Sequence, residues 1–280
     1  MAHDFSALKP LLSRMALGAW DCDGTLLHNE GRALDVIREE VNRHIGENSK
    51  HPNLADKYRA GGLECCRHYA GIPLPQIRDI IGQQVGIEIP VSVEQRILER
   101  RRNSPEPGEI VRPIAPLADL VKFFNLHNIP QVVVTSSEAE RAKRYIRAAN
   151  LDHYFRRHGE QWLISGHDDF HPPRHKPQPD AYNLARQLHG ADSQRTVAFE
   201  DSLSGVRAAV NAGIHVIGHT FADHIAEERK MDLERQMREA GTNFVVHRPE
   251  ELAGVLTEVL QNMPPRPRTV TARVQQHAYS

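Results

Sequence analysis

Two aspartates separated by one residue begin the set of motifs that could carry chemistry in this chain. They lie in the run Asp-Cys-Asp-Gly-Thr at residues 21–25, directly after an apolar segment that predicts a strand. Side chains two residues apart face the same side of a strand, so Asp21 and Asp23 can point into one site. Adjacent carboxylates repel each other unless a cation or a shared proton offsets their charge. Oxygen ligands favour Mg²⁺, and the alternative is a turn that uses Asp and Gly for their conformational tolerance.

Polar residues also follow two other predicted strands. Thr135, Ser136 and Ser137 end one strand and precede a helix, where hydroxyls and exposed backbone amides can bind an anion. The alternative is that Ser137 only caps the helix. Glu200 and Asp201 end another strand and form a second acidic pair.

One lysine is held in a proline-rich loop ahead of that second acidic pair. The run Lys-Pro-Gln-Pro-Asp at residues 176–180 offers Lys176 as a cation, and the alternative is a solvated loop lysine with Asp180 capping the next helix. In open parallel sheets, ligands bind beyond the carboxyl ends of the strands. We therefore expect Lys176, the two acidic pairs and the hydroxyls to meet at one edge of a sheet.

The elements that must position these residues follow an alternating pattern, which indicates βαβ units, a parallel sheet and an α/β fold with a Rossmann-like core. Apolar runs predict strands at 15–20, 129–135, 161–165, 196–200 and 215–218, with a weaker one at 243–247. Helical spacing predicts helices over 137–150, 179–188 and 204–211, the last closed by Gly213.

The segment from Leu26 to about Arg112 interrupts this alternation, because it contains no convincing strand. Apolar residues recur there at helical spacing with Gly46 as a stop signal, and Ser92 with Gln95 forms a capping box for a helix through residue 102. We expect a helical cap domain over 30–109, inserted into an α/β core over 14–29 and 110–260. A flexible tail is expected over 261–280.

Composition excludes several classes of protein. The 280-residue chain has a net charge of −1 at neutral pH, which gives no general reason to expect binding to nucleic acid or to anionic membranes. No apolar run approaches the ~18 residues of a membrane helix. Three cysteines, two of them adjacent, suit a reducing compartment. We expect a cytoplasmic monomer or homodimer.

The order and types of these motifs resemble those of the haloacid dehalogenase-like hydrolase superfamily. The resemblance is closest to the β-phosphoglucomutase-like phosphatases with a helical cap, and it spans residues 16–260. It is carried by residues 21–26, 135–137 and 176–180, and by the run from Phe199 through Asp201 to Gly213. The resemblance implies a Mg²⁺-dependent phosphatase acting on a small phosphorylated metabolite such as a sugar or polyol phosphate.

The family pattern also implies a role for each matching residue. Asp21 would be the nucleophile that forms an aspartyl-phosphate, and Asp23 the general acid and base. Phosphate would be held by Thr135 and Lys176, with Ser136 beside them. The implied Mg²⁺ ligands are Asp21, the backbone carbonyl of Asp23, Asp201 and, adjacent or through water, Glu200.

In the cap, Gly71 lies in a loop that resembles the specificity loop of such caps.

Other functions on the same scaffold stay open. Family phosphomutases tend to carry a histidine where this chain has Ala33, so a phosphomutase is the second candidate. A dehalogenase would not need Asp23. A phosphoacceptor signalling module would not need the helical insertion, and an inactive interaction protein would be expected to lack one of the motifs.

Overall fold

The computed structural model describes residues 3–48, 74–102, 111–156 and 161–265. Apolar β-rich runs form the strands, which are β1 (Leu17–Trp20), β2 (Leu27–His28), β3 (Arg112–Pro113), β4 (Gln131–Thr135), β5 (Leu163–Ser165), β6 (Thr196–Glu200), β7 (His215–His219) and β8 (Phe244–Val246). The α-helices are α1 (Glu30–Asn48), α2 (Leu74–Val85), α3 (Val91–Arg102), α4 (Ala115–Leu126), α5 (Ala139–Ala148), α6 (Asp152–Arg156), α7 (Asp180–Leu188), α8 (Leu203–Asn211), α9 (Glu227–Glu239) and α10 (Leu252–Asn262). Short 3₁₀ helices lie at Ser6–Arg14, Ser193–Arg195 and Pro249–Glu251.

Six strands form one parallel sheet in the order β5-β4-β1-β6-β7-β8. The chain builds outward from β1 in one direction through β4 and β5, and in the other direction through β6 to β8. The strand order therefore reverses at β1, and the crevice beyond the carboxyl end of β1 is where ligands bind in such sheets. This arrangement confirms the predicted α/β class.

Both faces of the sheet are buried, which explains the nearly continuous apolar strands. In β1, Leu17 and Ala19 belong to the hydrophobic cluster on one face, and Trp20 belongs to the cluster on the other. Trp20 stacks on Phe199 of β6 with ring centroids 4.2 Å apart. This rigid centre holds the ends of β1 and β6 at fixed positions.

The helices between β2 and β3 have a hydrophobic cluster of their own. It joins α1, α2 and α3 through buried residues such as Ile37, Ile81 and Ile97. The Glu40 side chain is fully buried in this group and accepts hydrogen bonds from Arg96 and Arg100. A separate core is what an inserted helical domain requires, since each domain buries its own apolar residues.

Several predicted boundaries were wrong in detail. Helix α1 continues through Gly46 to Asn48, because a glycine only weakens a helix whose apolar face stays packed. Helix α3 begins at Val91, so Ser92 lies inside the first turn and is not its cap. A pair of two-residue antiparallel strands, β2 and β3, was missed at the base of the insertion.

The core also extends past both predicted limits. The 3₁₀ helix Ser6–Arg14 places Leu8 and Leu12 in the main hydrophobic cluster, which moves the start of the core ahead of residue 14. At the other end, α10 reaches Asn262 and Met263 is buried. Within the described ranges, no helix combines the length and apolar character that crossing a bilayer requires.

Candidate active site

Lys176 binds two carboxylates beyond the carboxyl ends of β1 and β6. Its Nζ donates to Asp21 Oδ1 at 2.5 Å and to Glu200 Oε1 at 2.6 Å, and also to the backbone oxygen of Val134 at 2.9 Å. The lysine side chain is only 5% exposed, so it is not a solvated loop residue. The sheet register explains why Asp21 and Glu200 lie close together. Trp20 of β1 pairs with Phe199 of β6, and Asp21 and Glu200 are the residues that follow them.

A third carboxylate joins this group. One ligand oxygen from each of Asp21, Glu200 and Asp201 lies within 4.8 Å of the others, and all three residues are buried. Burial and mutual repulsion raise the pKa of Asp21 and Glu200 despite the attraction of Lys176. Glu200 Oε2 is buried without a hydrogen-bond partner. One ammonium is too little charge for three carboxylates, so an all-oxygen donor set of this kind can hold a divalent cation.

Asp201 is oriented by donors on both of its oxygens. Thr25 Oγ1 donates to Oδ1 at 3.0 Å, and His224 Nε2 lies 3.0 Å from Oδ2. Gly24 has a φ of +88°, and a Cβ there would collide with Asp201 and His224. The glycine is therefore required by both the turn and the close approach of the second acidic pair.

Two buried histidines near Asp201 have pKa values shifted in opposite directions. Burial lowers the pKa of His219 to about 4, which keeps this ring neutral beside Thr25. Burial acts in the same direction on His224, but its hydrogen bond and attraction to Asp201 raise the His224 pKa above its ordinary value. The same contact lowers the pKa of Asp201 against the effect of burial. His224 thus holds Asp201 in the ionised form.

The Asp23 carboxylate has a separate set of partners. Ser137 Oγ donates to Oδ2 at 2.6 Å, and Arg141 Nη2 lies 2.9 Å from Oδ1 and 3.0 Å from Oδ2. Asn29 Nδ2 also donates to Oδ1. Ser137 is therefore not the cap of α5, which begins at Ala139 without a side-chain cap.

The predicted anion site lies at the end of β4, the strand next to β1. Thr135 is buried, and its Oγ1 accepts the backbone N–H of Ser137 at 3.0 Å. Ser136 Oγ accepts the backbone N–H of Lys176 at 3.2 Å, which ties the lysine loop to this segment. His175 Nδ1 lies 3.2 Å from the Ser136 carbonyl oxygen. These contacts explain how a loop residue reaches the strand ends.

The structure brings together most of the residues that the sequence singles out. Asp21, Lys176, Glu200 and Asp201 form one buried cluster. Hydrogen bonds link the others in chains, which run from Ser136 to Lys176 and from Thr135 through Ser137 to Asp23. Gly71 lies outside the described residues.

Sequence reasoning missed several polar side chains that contact the predicted carboxylates. These are Arg141 and Asn29 on Asp23, His224 on Asp201, and Tyr182, which donates from its hydroxyl to Glu200. The capping position of Asp180 was also wrong, since α7 begins at Asp180 after Pro179. Cys22, between the two aspartates, is fully buried, and burial raises the pKa of its thiol, which disfavours the nucleophilic thiolate.

Comparisons with known proteins show which family and which relatives this chain resembles. A family model described as haloacid dehalogenase-like hydrolase matches residues 17–213. The phosphorylated carbohydrates phosphatase of Thermotoga maritima is 26% identical over 247 residues, which cover 86% of this chain and 98% of that protein. The (DL)-glycerol-3-phosphatase 2 of Arabidopsis thaliana is 26% identical over 244 residues, which cover 83% and 88%.

Solved structures give the same result for the fold. A hydrolase from Deinococcus radiodurans superimposes with a TM-score of 0.63 at 23% identity, over 90% of this chain and 99% of that one. The structural similarity therefore extends over most of both chains.

Proposed function

The chain belongs to the haloacid dehalogenase-like hydrolase family, and on that premise we propose that it is a Mg²⁺-dependent phosphatase of small phosphorylated metabolites. The substrate class we propose is a sugar or polyol phosphate. The observation that carries the proposal is the contact of Lys176 with Asp21 and Glu200 beside Asp201, at the reversal point of the sheet. The names of the two relatives above support the substrate class.

In the first step, Asp21 attacks phosphorus. A bond forms between a carboxylate oxygen of Asp21 and the phosphoryl group, and the bond from phosphorus to the substrate oxygen breaks. Asp23 gives its proton to that leaving oxygen, which departs as an alcohol. Thr135 and Lys176 hold the transferring group by hydrogen bonding and charge, since phosphoryl transfer depends mainly on positioning and electrostatic stabilisation.

In the second step, water attacks the phosphorus of the aspartyl-phosphate. Asp23, now ionised, accepts a proton from the water, the bond to Asp21 breaks, and inorganic phosphate leaves. Both aspartates return to their starting states. Using one carboxyl group first as acid and then as base follows from the reverse direction of proton transfer in the two steps.

The clustered carboxylates fit the metal that the family implies. Asp21, Asp201 and Glu200 offer hard oxygen donors, Glu200 has an unpartnered buried oxygen, and the backbone carbonyl of Asp23 is the proposed further ligand. When bound, Mg²⁺ supplies neutralisation of the carboxylates and of the phosphoryl oxygens. Lys176 shares this role, because its ammonium already contacts two of the carboxylates.

A phosphate-release screen tests the function. The panel contains glycerol 3-phosphate, fructose 1-phosphate, glucose 6-phosphate, sorbitol 6-phosphate and phosphoglycolate, and the remaining substrate is checked for isomers. We expect free phosphate from a sugar or polyol phosphate. Isomerised sugar phosphate without release would instead assign a phosphomutase, and inactivity on the whole panel would contradict the proposal.

Removal of the metal is expected to stop phosphate release. EDTA should reduce the rate to background, and excess Mg²⁺ should restore it, because three buried carboxylates otherwise repel the substrate phosphate. Ca²⁺ should restore it poorly, since that larger ion prefers longer bonds and a looser geometry. Full activity in EDTA would exclude a catalytic metal.

Loss of His224 is expected to weaken metal binding. His224→Ala removes the partner that holds Asp201 Oδ2, and loss of such an outer contact typically costs about 10- to 100-fold in metal affinity. The measurement is calorimetric titration of the metal-free protein with Mg²⁺. His215→Ala, at the opposite end of β7, serves as the control and should bind as the wild type does. Equal affinities for wild type and His224→Ala would contradict the role.

A further inference from the structure

Arg141 makes the charged contact to the second aspartate. Its Nη2 reaches both oxygens of Asp23, at 2.9 and 3.0 Å, and the two side chains are only 15% and 12% exposed. Charge-assisted hydrogen bonds of this kind are shorter and stronger than neutral ones. A nearly buried guanidinium therefore fixes the direction of the Asp23 carboxylate.

The position of Arg141 is itself well defined. Its Nη2 donates to Ser137 Oγ at 2.8 Å, and its guanidinium lies 5.2 Å from the centroid of the Tyr145 ring. Ser137 donates to Asp23 as well, so the three side chains form a closed triangle of hydrogen bonds. Such a network holds one arrangement more firmly than isolated pairs do.

The two aspartates of the motif are thus divided between two cations. Lys176 binds Asp21 from a loop that is hydrogen-bonded to the end of β4, and Arg141 binds Asp23 from the first turn of α5. The carboxylates are two residues apart, so a single shared cation would draw them together. Separate cations instead keep Asp21 at the carboxylate cluster and Asp23 on the side of the helix.

We propose that Arg141 is a positioning residue that, together with Ser137, holds the Asp23 carboxylate in the orientation from which it exchanges a proton with the leaving-group oxygen. This inference rests on the proposed phosphatase function. Arg141 acts through Asp23, so it influences the proton transfer and leaves the binding of the phosphoryl group to Lys176 and Thr135.

The role predicts an effect that depends on the leaving group. An alkyl phosphate releases a poor leaving group that needs a proton, whereas p-nitrophenyl phosphate releases a stable anion that does not. Arg141→Met should lower the single-turnover rate of phosphoryl transfer from the best alkyl phosphate of the panel by about 10- to 100-fold, which is within what general acid–base catalysis supplies. KM should change little, and the loss in the same first-step rate with p-nitrophenyl phosphate should be much smaller. Arg141→Lys should recover part of the first-step rate, since an ammonium can replace one contact.

Arg144 provides a matched control. It lies on the same helix, carries the same charge, is exposed, and faces the same Tyr145 ring at 5.7 Å. Arg144→Met should keep wild-type rates on both substrates. In an Asp23→Asn background, Arg141→Met should add no further loss, because residues that act as one unit are not additive.

The outcomes separate this inference from the proposed function. An active wild type with equal losses on both substrates in Arg141→Met would overturn the inference and leave the phosphatase intact. If the rate of the Asp23→Asn, Arg141→Met double variant falls by the product of the two single losses, the inference is overturned as well. If circular dichroism shows that Arg141→Met does not fold, the test moves to Arg141→Lys. There the rate on the alkyl phosphate is divided by the rate on p-nitrophenyl phosphate, and a ratio equal to that of wild type would overturn the inference. A wild type inactive on both substrates would refute the function, and this inference with it.

Discussion

Asp21→Asn is expected to abolish phosphate release, with a loss in kcat of about 10⁴-fold or more, as for other enzymes that lose their nucleophile. The amide keeps the shape of the side chain but cannot form the aspartyl-phosphate. The fold should be retained, because the change removes one of three crowded buried carboxylates and leaves Lys176 paired with Glu200. The measurement is phosphate release with the best substrate of the panel, with circular dichroism to check folding.

Cys22→Ala is the control for this variant. Cys22 lies between the two aspartates and is the other residue of the motif that could be mistaken for a nucleophile, but its thiol is buried and its pKa is raised. Its variant should keep kcat within a few-fold of wild type. An Asp21→Asn protein that retains most activity, or a Cys22→Ala protein that loses it, would refute the assignment of the nucleophile.

Lys176→Met is expected to cause the largest loss of stability. Removing the ammonium leaves Asp21 and Glu200 buried without their cation, and breaking a buried pair in this way costs about 3–5 kcal/mol. For a chain of this size, that corresponds to a fall in Tm of about 10 °C. Phosphate release should also fall, by about 10²- to 10³-fold, since a group aimed at the transition state is lost.

Thermal melts of the metal-free proteins measure this effect. Lys122→Met is the matched control, because Lys122 pairs with Asp119 on the surface, where ion pairs contribute about 0–1 kcal/mol. Added Mg²⁺ should raise the Tm of Lys176→Met more than that of wild type, since it neutralises the buried carboxylates that have lost their ammonium partner. A Lys176→Met protein as stable as wild type would show that the buried ion pairs do not form.

The strand ends were predictable because two local signals coincide there. Apolar runs identify β1, β4 and β6, and a polar residue stands at the end of each strand or directly after it, namely Asp21, Thr135 and Glu200. Parallel strands align their carboxyl ends, so the sequence was sufficient to predict that Asp21 and Glu200 lie close together. Lys176 was predictable only through the motif around it.

Partners that come from distant elements were not predictable. Arg141 lies 118 residues from Asp23 and occupies an ordinary position on an amphipathic helix, where an arginine is usually solvated. His224 follows β7 in a loop with no motif, and its contact with Asp201 joins segments that are 23 residues apart in the chain. Ser137 was assigned to a helix end because its contact with Asp23 depends on the packing of β4 beside β1.

Short secondary-structure elements were not predicted from the sequence for a different reason. The strands β2 and β3 have two residues each, which is too short for any alternation to be seen. The 3₁₀ helix Ser6–Arg14 carries Pro10 and lacks the spacing of an α-helix, although its leucines are buried. The predicted cap residue Gly71 lies outside the described residues, so its place at the site stays a prediction.

Trapping of the phosphoenzyme tests the central claim most directly. Asp23→Asn protein should still accept the phosphoryl group from p-nitrophenyl phosphate, which needs no acid, but should hydrolyse the intermediate slowly because its base is lost. After an acid quench, mass spectrometry of the digested protein should find one phosphoryl group on the peptide that contains Asp21, with Mg²⁺ present and not in EDTA. If the Asp23→Asn protein releases p-nitrophenol at the wild-type rate and no phosphoryl group is found on Asp21, the account is contradicted.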